Sequence, residues 1–361
     1  MIKQLPYFFL LIFISILISC QSDNKKSGNT KEQFQITNFN SKVNLKAQLF
    51  LLDSLNYAVD ICVIPEHNLL LVTDLKNNKF LKAYNLTSLK LIKSFIEKGP
   101  GPNQQIICRT LQVSHDKKYL YATDTYKKKI FVYAVDDIVT PGKTPIAIAD
   151  ITLKSNAFNR PLIFNNKYIA DLHDNYDEKA GGVLNVYNPS GDFLYLSDIY
   201  PVVDKKIDRM EQNFAFLSTV NTSRDGTALI MSYLHTDFIS IYSNKGKLLK
   251  RVHGPDIFEP EIKNVSIMGG TMGQFTENTI KAFTGKPQMD KNDVLVLYDG
   301  KKVSSDYHVN TLLNFTSKLT PKTIYKLDKP VFTLDIDWNT RTAYCLSQQV
   351  NGYNLVKYQV K

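Results

Sequence analysis

The feature that most limits what this chain can fold into is a repeat. Groups of four short apolar segments, broken by Asn, Asp, Gly or Lys turns, recur roughly every fifty residues. The clearest group begins at Ala58, where AVDICVIP, LLLVTDLK, KFLKAYNL and LKLIKSFI are separated by EHN, NN and TS. Further groups begin at Arg109, Asn159, Phe214, Thr279 and Val331, in steps of 51, 50, 55, 65 and 52 residues. Four antiparallel strands per unit at this period predict a β-propeller, an all-β fold whose small sheets stand radially around an axis. The 361 residues could fill two ordinary domains, but a single propeller uses such a length as one body. The 20 Tyr and 20 Phe, with the Val, Ile and Leu of these segments, suit pleated and half-buried surfaces.

The last group tests the reading. After VFTLDIDW, RTAYCLSQ and NLVKYQVK the chain stops at Lys361 with three segments instead of four. Upstream of the first group lies an unassigned strand-like stretch, NLKAQLFLLD, from Asn44 to Asp53. If it completes the final sheet, backbone hydrogen bonds join the ends of the chain and leave only short, protected edges. The expectation is a six-bladed ring over 44–361, closed by an N-terminal strand.

Between the first two groups stands EKGPGPNQ, with Gly99, Pro100, Gly101 and Pro102 at its centre. A phosphate cradle needs successive backbone N–H groups, and proline has none. The stretch is therefore expected to be structural, carrying the chain from the rim of one blade to the axis of the next. His253-Gly254-Pro255-Asp256 holds the corresponding place after the fourth group. The stretch 257–278 is longer and less patterned than an ordinary crossing, which leaves the inner strand of the fifth blade uncertain in extent.

The first twenty residues, MIKQLPYFFLLIFISILISC, carry one charge and an apolar run too short to span a bilayer comfortably, as an export signal does. Leu17-Ile18-Ser19-Cys20 resembles a bacterial lipobox, which implies lipidation of Cys20 and attachment to a membrane through that anchor. Residues 21–43 begin as a polar, charged stretch and are expected to be a flexible tether. The formal charge of +10 falls to +9 when Lys3 leaves with the signal. Only six of the basic residues are arginine, the lysines are scattered over turn positions, and export removes the chain from cytoplasmic nucleic acid, so nucleic acid is not an expected partner. Lys25, Lys26 and Lys31 are either solvated or in contact with lipid headgroups. Beyond Cys20 the cysteines are Cys62, Cys108 and Cys345, an odd set inside apolar strands, expected as buried free thiols, with one bridge between neighbours as the alternative.

Leu71-Val72-Thr73-Asp74, Lys98-Gly99-Pro100-Gly101-Pro102-Asn103, Leu297-Tyr298-Asp299-Gly300-Lys301, and Tyr325-Lys326-Leu327-Asp328 leading into Phe332-Thr333-Leu334-Asp335-Ile336-Asp337 occur in this order and spacing. In this the chain resembles the TolB-like six-bladed propeller lipoproteins of Gram-negative bacteria. The resemblance implies a cell-envelope protein anchored to the outer membrane, on its periplasmic or surface face, and says little about a ligand, because propellers host many unrelated activities.

No HExxH, Gly-x-Ser-x-Gly or Cys-x-x-Cys occurs, and the six histidines lack metal-ligand spacing. Sites assembled at an axis from separate blades leave no such spacing, so candidates are taken from predicted strand ends. Asp74 and Asp124 close second strands, where a carboxylate accepts backbone N–H bonds. Asp60, Arg109, Arg160 and Asn221 lie near the ends of inner strands. Arg109 and Arg160 either grip an anion through paired donors or bind a carboxylate such as Asp60 between blades. His235 lies in a hairpin after a second strand, as does HDNYDEKAGG, whose His173, Asp174, Asp177 and Glu178 suit either a solvated tip or a Ca²⁺ site. Two functions follow. The leading one is a non-catalytic binding module for an envelope protein, peptide or glycan. The alternative is a hydrolase or lyase with an axial site, with or without Ca²⁺.

Overall fold

In the computed structural model, the residues described are 32–52, 55–154, 160–164, 168–172, 183–197, 200–203, 207, 209–267, 270–302, 309–349 and 352–361. Blade 1 is built from Ala58–Ile64, Leu69–Asp74, Lys79–Asn85 and Leu91–Glu97; blade 2 from Thr110–Val113, Tyr119–Asp124, Lys129–Ala134 and Ala149–Thr152. Blade 3 comprises Leu162–Phe164, Tyr168–Leu172, Leu184–Tyr187 and Phe193–Ser197, and blade 4 Ser218–Thr222, Ala228–Tyr233, Phe238–Ser243 and Leu248–His253. Blade 5 takes Ile280–Met289, Asp293–Lys302, Val309–Thr316 and Pro321–Val331, and blade 6 Thr333–Asp337, Thr342–Gln349 and Gly352–Gln359. The fold is a six-bladed β-propeller.

Side chains alternate across each strand, so each sheet sends apolar residues to both of its faces. On the second strand of blade 1, Leu69 and Leu71 enter the wedge shared with blade 2, while Leu70 and Val72 enter the wedge shared with blade 6. Six buried clusters result, one between each pair of neighbouring blades around the ring. Burial on both faces is why strands such as LLLVTD read as near-continuous apolar runs. Truncating any of these leucines would cost about 2–5 kcal/mol in transfer energy and cavity formation. The three thiols Cys62, Cys108 and Cys345 are free and buried in these wedges, and burial pushes the Cys62 thiol up to about 12.

The ring closes as the repeat requires. Gln48–Phe50 pairs antiparallel with Gly352–Gln359, Leu49 opposite Val356, and becomes the outer strand of blade 6. The N-terminal segment does more than the expected tether. Glu32 and Phe34 exchange backbone hydrogen bonds with His253 at the edge of blade 4, and Ser41–Leu45 pairs in parallel with 323–327, adding a fifth strand to blade 5. Phe34 is buried, in edge-to-face contact with Phe315 and Phe39. Residues 32–50 therefore form a strap stitched to blades 4, 5 and 6, so the folded unit includes a dozen residues before the expected boundary at 44. Gly254 makes room for this strap, since a Cβ there would run into the Phe34 carbonyl oxygen.

Two local readings also change. Phe214, expected to open the inner strand of blade 4, belongs to the helix Arg209–Ala215, and the strand starts at Ser218. Within 257–278, Ile262–Ile267 and Gly270–Phe275 form a separate two-stranded hairpin before blade 5.

Candidate functional site

The inner strand of every blade has one edge that no further strand covers, so its N–H and C=O groups face the axis unpaired. Polar side chains of neighbouring blades satisfy them. Asp60 accepts the Leu111 N–H at 2.8 Å, and Gln112 accepts the Ile163 N–H at 2.8 Å while its amide nitrogen donates back to the Ile163 carbonyl. Asn221 donates to the Pro287 carbonyl at 3.0 Å, Gln288 to the Leu334 carbonyl at 3.0 Å, and Asp335 accepts the Val63 N–H at 2.8 Å. The positions repeat in register. Cys62, Gln112, Leu162, Asn221, Gln288 and Asp335 form one tier around the axis, and Asp60, Thr110, Arg160, Thr219, Lys286 and Thr333 form the tier two residues earlier.

The charges at the axis are unevenly spent. Lys286 Nζ lies 2.8 Å from Asp60 Oδ1 and donates to the Ile61 carbonyl at 2.8 Å, so blade 5 reaches past blade 6 to blade 1. Burial opposes the Lys286 charge, but Asp60 and then Asp335 raise its pKa above the ordinary lysine value. Burial raises the Asp335 pKa, against the pull of Lys286 and two backbone N–H donors. Arg160 shares the tier of Asp60 and Lys286. Crowding by protein lowers its pKa, Asp60 pulls it back up and Arg109 pushes it down, although a guanidinium stays charged throughout. Both arginines are solvent-exposed, and neither makes a salt bridge among the described residues. The backbone N–H of Arg160 donates to Asp171 at 2.7 Å, which fixes where that side chain starts.

Beyond the Asp60–Lys286 pair, toward the hairpins that join first and second strands, the axis opens into a funnel of about 100 Å³. Cys62, Gln112, Asn221, Lys286, Gln288 and Asp335 line it, and Glu66, His115, Lys117, Arg224 and Trp338 surround its mouth. Arg224 straddles this mouth: its guanidinium donates to Asn339 Oδ1 at 2.8 Å and stands 3.9 Å from Glu66, and its carbonyl is 3.1 Å from His115 Nδ1. Trp338, the chain's one tryptophan, is half-buried with the Arg341 guanidinium 5.5 Å from its ring centre. The funnel thus lies at the opposite end of the inner strands from the hairpins in which His235 and HDNYDEKAGG were sought. Among the described residues no cluster of His, Cys, Asp or Glu is placed to hold a metal ion.

The other sequence candidates occupy definite places. Asp74 accepts the N–H groups of Asn56 and Tyr57, each at 2.8 Å, and Asp124 those of Ile106, Tyr126 and Lys127 at 2.6–3.0 Å. Both pin the segment entering their own blade to the hairpin beside it, whereas Asp237 accepts the N–H groups of Asp256, Ile257 and Phe258 in the segment that leaves blade 4. In the Gly99–Pro102 crossing the carbonyls converge instead of the amides: Lys127 Nζ donates to those of Pro100, Gly101 and Gln104 at 2.6–3.0 Å. Gly99 has φ +157°, and a Cβ there would strike the Gln104 side chain. His235 is buried against Phe275, with ring centres 4.0 Å apart, and burial lowers its pKa to about 4. His173, Asp174, Asp177, Glu178 and Cys20 lie outside the described residues.

Sequence reading found Asp60 and Asn221 but missed Gln112, Lys286, Gln288 and Asp335. Three of these could have been found as the polar residue one or two positions before the end of its inner strand. Lys286 was hidden by a break in pairing, since register jumps between Thr284 and Gln288 within the strand Ile280–Met289.

No family model matches the chain, and no curated protein matches it. Solved structures do. A protein of Bacteroides fragilis described as exported aligns with TM-score 0.51 and 10% identity over 89% of this chain and 100% of its own. A DUF4221 family member from Bacteroides vulgatus gives 0.58 and 8% over 87% and 96%, and the calcium-binding regucalcin of Agrobacterium tumefaciens 0.50 and 7% over 89% and 97%. The likeness is one of fold.

Proposed function

We propose that this protein is a non-catalytic binding module, exported and lipid-anchored at Cys20 like the TolB-like lipoproteins it resembles, whose hairpin face around the funnel receives an envelope protein, peptide or glycan. One observation carries the reading: the polar groups on the funnel floor are already engaged in holding blades together, while the rim carries a half-buried tryptophan stacked under Arg341. Asp335 accepts two backbone N–H groups and Asp60 is matched by Lys286, so neither carboxylate is poised as a general base. A rigid cavity with room for one side chain or sugar substituent, bordered by an aromatic anchor, suits recognition.

The test is a glycan and peptide array probed with wild type and Trp338→Ala, alongside a broad hydrolysis screen. A hit weakened about tenfold or more by the substitution, with an unchanged melting curve, supports the reading. Hits indifferent to Trp338, or turnover of a lactone or glycoside, contradict it.

A further inference from the structure

The wall of the funnel is electrically two-sided, and only one side has hydrogen-bonding capacity to spare. On the blade 6 side the carboxylates are committed. Asp335 accepts the N–H groups of Val63 and Ile336, and Asp337 accepts the Asn339 N–H and the Thr340 hydroxyl. The cations stand on the first hairpins of blades 2 and 4, and these hairpins touch: His115 Nδ1 lies 3.1 Å from the Arg224 carbonyl, and a Cβ on Gly226 would meet the His115 side chain at 3.8 Å. Lys117 of blade 2 and Arg224 of blade 4 both line the cavity, and both are half-buried. Among the described residues the Lys117 amine has no bonded partner. Arg224 spends one N–H donor on Asn339 Oδ1, while Glu66 at 3.9 Å is beyond hydrogen-bond reach. The link between the first two strands of blade 3, residues 165–167, reads Asn-Asn-Lys in the sequence and so contains no carboxylate.

Asn339, which anchors the Arg224 guanidinium, directly follows Trp338, so a cation and an aromatic ring stand side by side at the mouth. That pairing suits a pyranose that carries a carboxylate. The C–H face of such a ring covers an aromatic surface, while its carboxylate takes the planar fork of a guanidinium and the point charge of an ammonium. A peptide chain end offers the carboxylate without the ring face. Resting on the binding-module reading above, we propose that the funnel selects acidic sugars, with Lys117 and Arg224 holding the carboxylate of a uronic-acid residue beside Trp338. Glu66 is 40% exposed and turns to water when the ligand takes the guanidinium.

Isothermal titration at pH 7 and low salt tests this with three probes: methyl galacturonoside, its methyl ester, which keeps the ring and removes the charge, and N-acetylglycine, which keeps the carboxylate and removes the ring. Wild type is expected to bind the acid roughly tenfold more tightly than the ester, and several-fold more tightly than N-acetylglycine. Arg224→Gln should weaken the acid roughly tenfold and Lys117→Gln several-fold, each changing the ester less than about twofold, a split that a merely structural role would not produce. Lys79→Gln, an exposed lysine on the opposite face of blade 1, should change the acid less than about twofold. If Arg224→Gln melts early, Lys117→Gln and the wild-type ratio of acid to ester carry the decision. The proposal is overturned if the acid does not bind, if acid and ester bind alike, if N-acetylglycine matches the acid, or if the two funnel variants lose no more than Lys79→Gln. Array hits on neutral glycans or peptides that depend on Trp338 without favouring the acid would overturn this inference alone and leave the binding-module reading standing.

Discussion

Replacing Lys286 by Met removes a cation that links blade 5 to blade 1 across the axis. Its amine contacts Asp60 Oδ1 and the Ile61 carbonyl, each at 2.8 Å, and the two side chains are only 11% and 6% exposed. Without the amine, Asp60 keeps two backbone N–H donors but no cation bonded to it among the described residues. Breaking a buried pair by removing one partner costs about 3–5 kcal/mol, and the surviving donors place this case near about 3 kcal/mol. For a chain of this size that lowers Tm by about 4 °C. Calorimetry of wild type, Lys286→Met, Asp60→Asn and the double variant gives the coupling, expected to exceed about 1 kcal/mol for groups in direct contact. The pH dependence has a definite sign. Lys286 has a folded pKa above the ordinary 10.5, so its contribution is complete below pH 10.5 and is lost as pH rises through the folded value. Wild type should therefore lose stability more steeply than Lys286→Met on the alkaline side. A variant melting within about 1 °C of wild type, or a coupling near zero, would refute the reasoning.

His235 is expected to make the fold acid-sensitive. With a folded pKa of about 4 against 6.5 unfolded, the unfolded chain takes up the proton first, so stability is full above pH 6.5 and falls by about 3 kcal/mol on the way to pH 4. Urea titrations at pH 7 and pH 4.5 should show this loss in wild type and a smaller one in His235→Phe; equal losses would contradict it. Lys127→Met leaves three carbonyls of the Gly99–Pro102 crossing without their shared donor. A loss of about 1–2 kcal/mol and faster amide exchange across 97–106 are expected, and unchanged exchange there would count against the role given to Lys127.

How far the sequence shows this molecule follows from which interactions are local. The strand quartets are legible because alternation and turn residues are local, and the six-bladed closure because three segments after Val331 demanded a fourth. The strap of residues 32–45 was not, since its polar composition resembles a tether and only Phe34 and Phe39, inserted beside Phe315, reveal docking. The helix at Arg209–Ala215 hid behind Phe214 and Phe216, apolar residues spaced as in a strand. The axial tiers were half visible: Asp60, Arg160 and Asn221 stand out as polar residues at strand ends, but their partners come from other blades, and sequence separation carries no trace of a contact across the axis. Lys286 shows this best, paired with a residue more than two hundred positions away on a strand whose register breaks.

Ring closure sets where every inner strand stands, and so where the axial groups meet. Cysteines introduced at Gln48 and Lys357, directly opposite in the closing pair, test it most directly in the chain expressed from Gln21. Opposite residues of an antiparallel pair lie about 4.5–5.5 Å apart at Cα, within disulfide reach, so mild oxidation should cross-link Q48C/K357C in the folded protein and raise its Tm. Q48C/N354C, displaced by three residues along the strand, should stay reduced. Efficient cross-linking of the displaced pair, or none of the opposed pair while the protein remains folded, would contradict the closed ring.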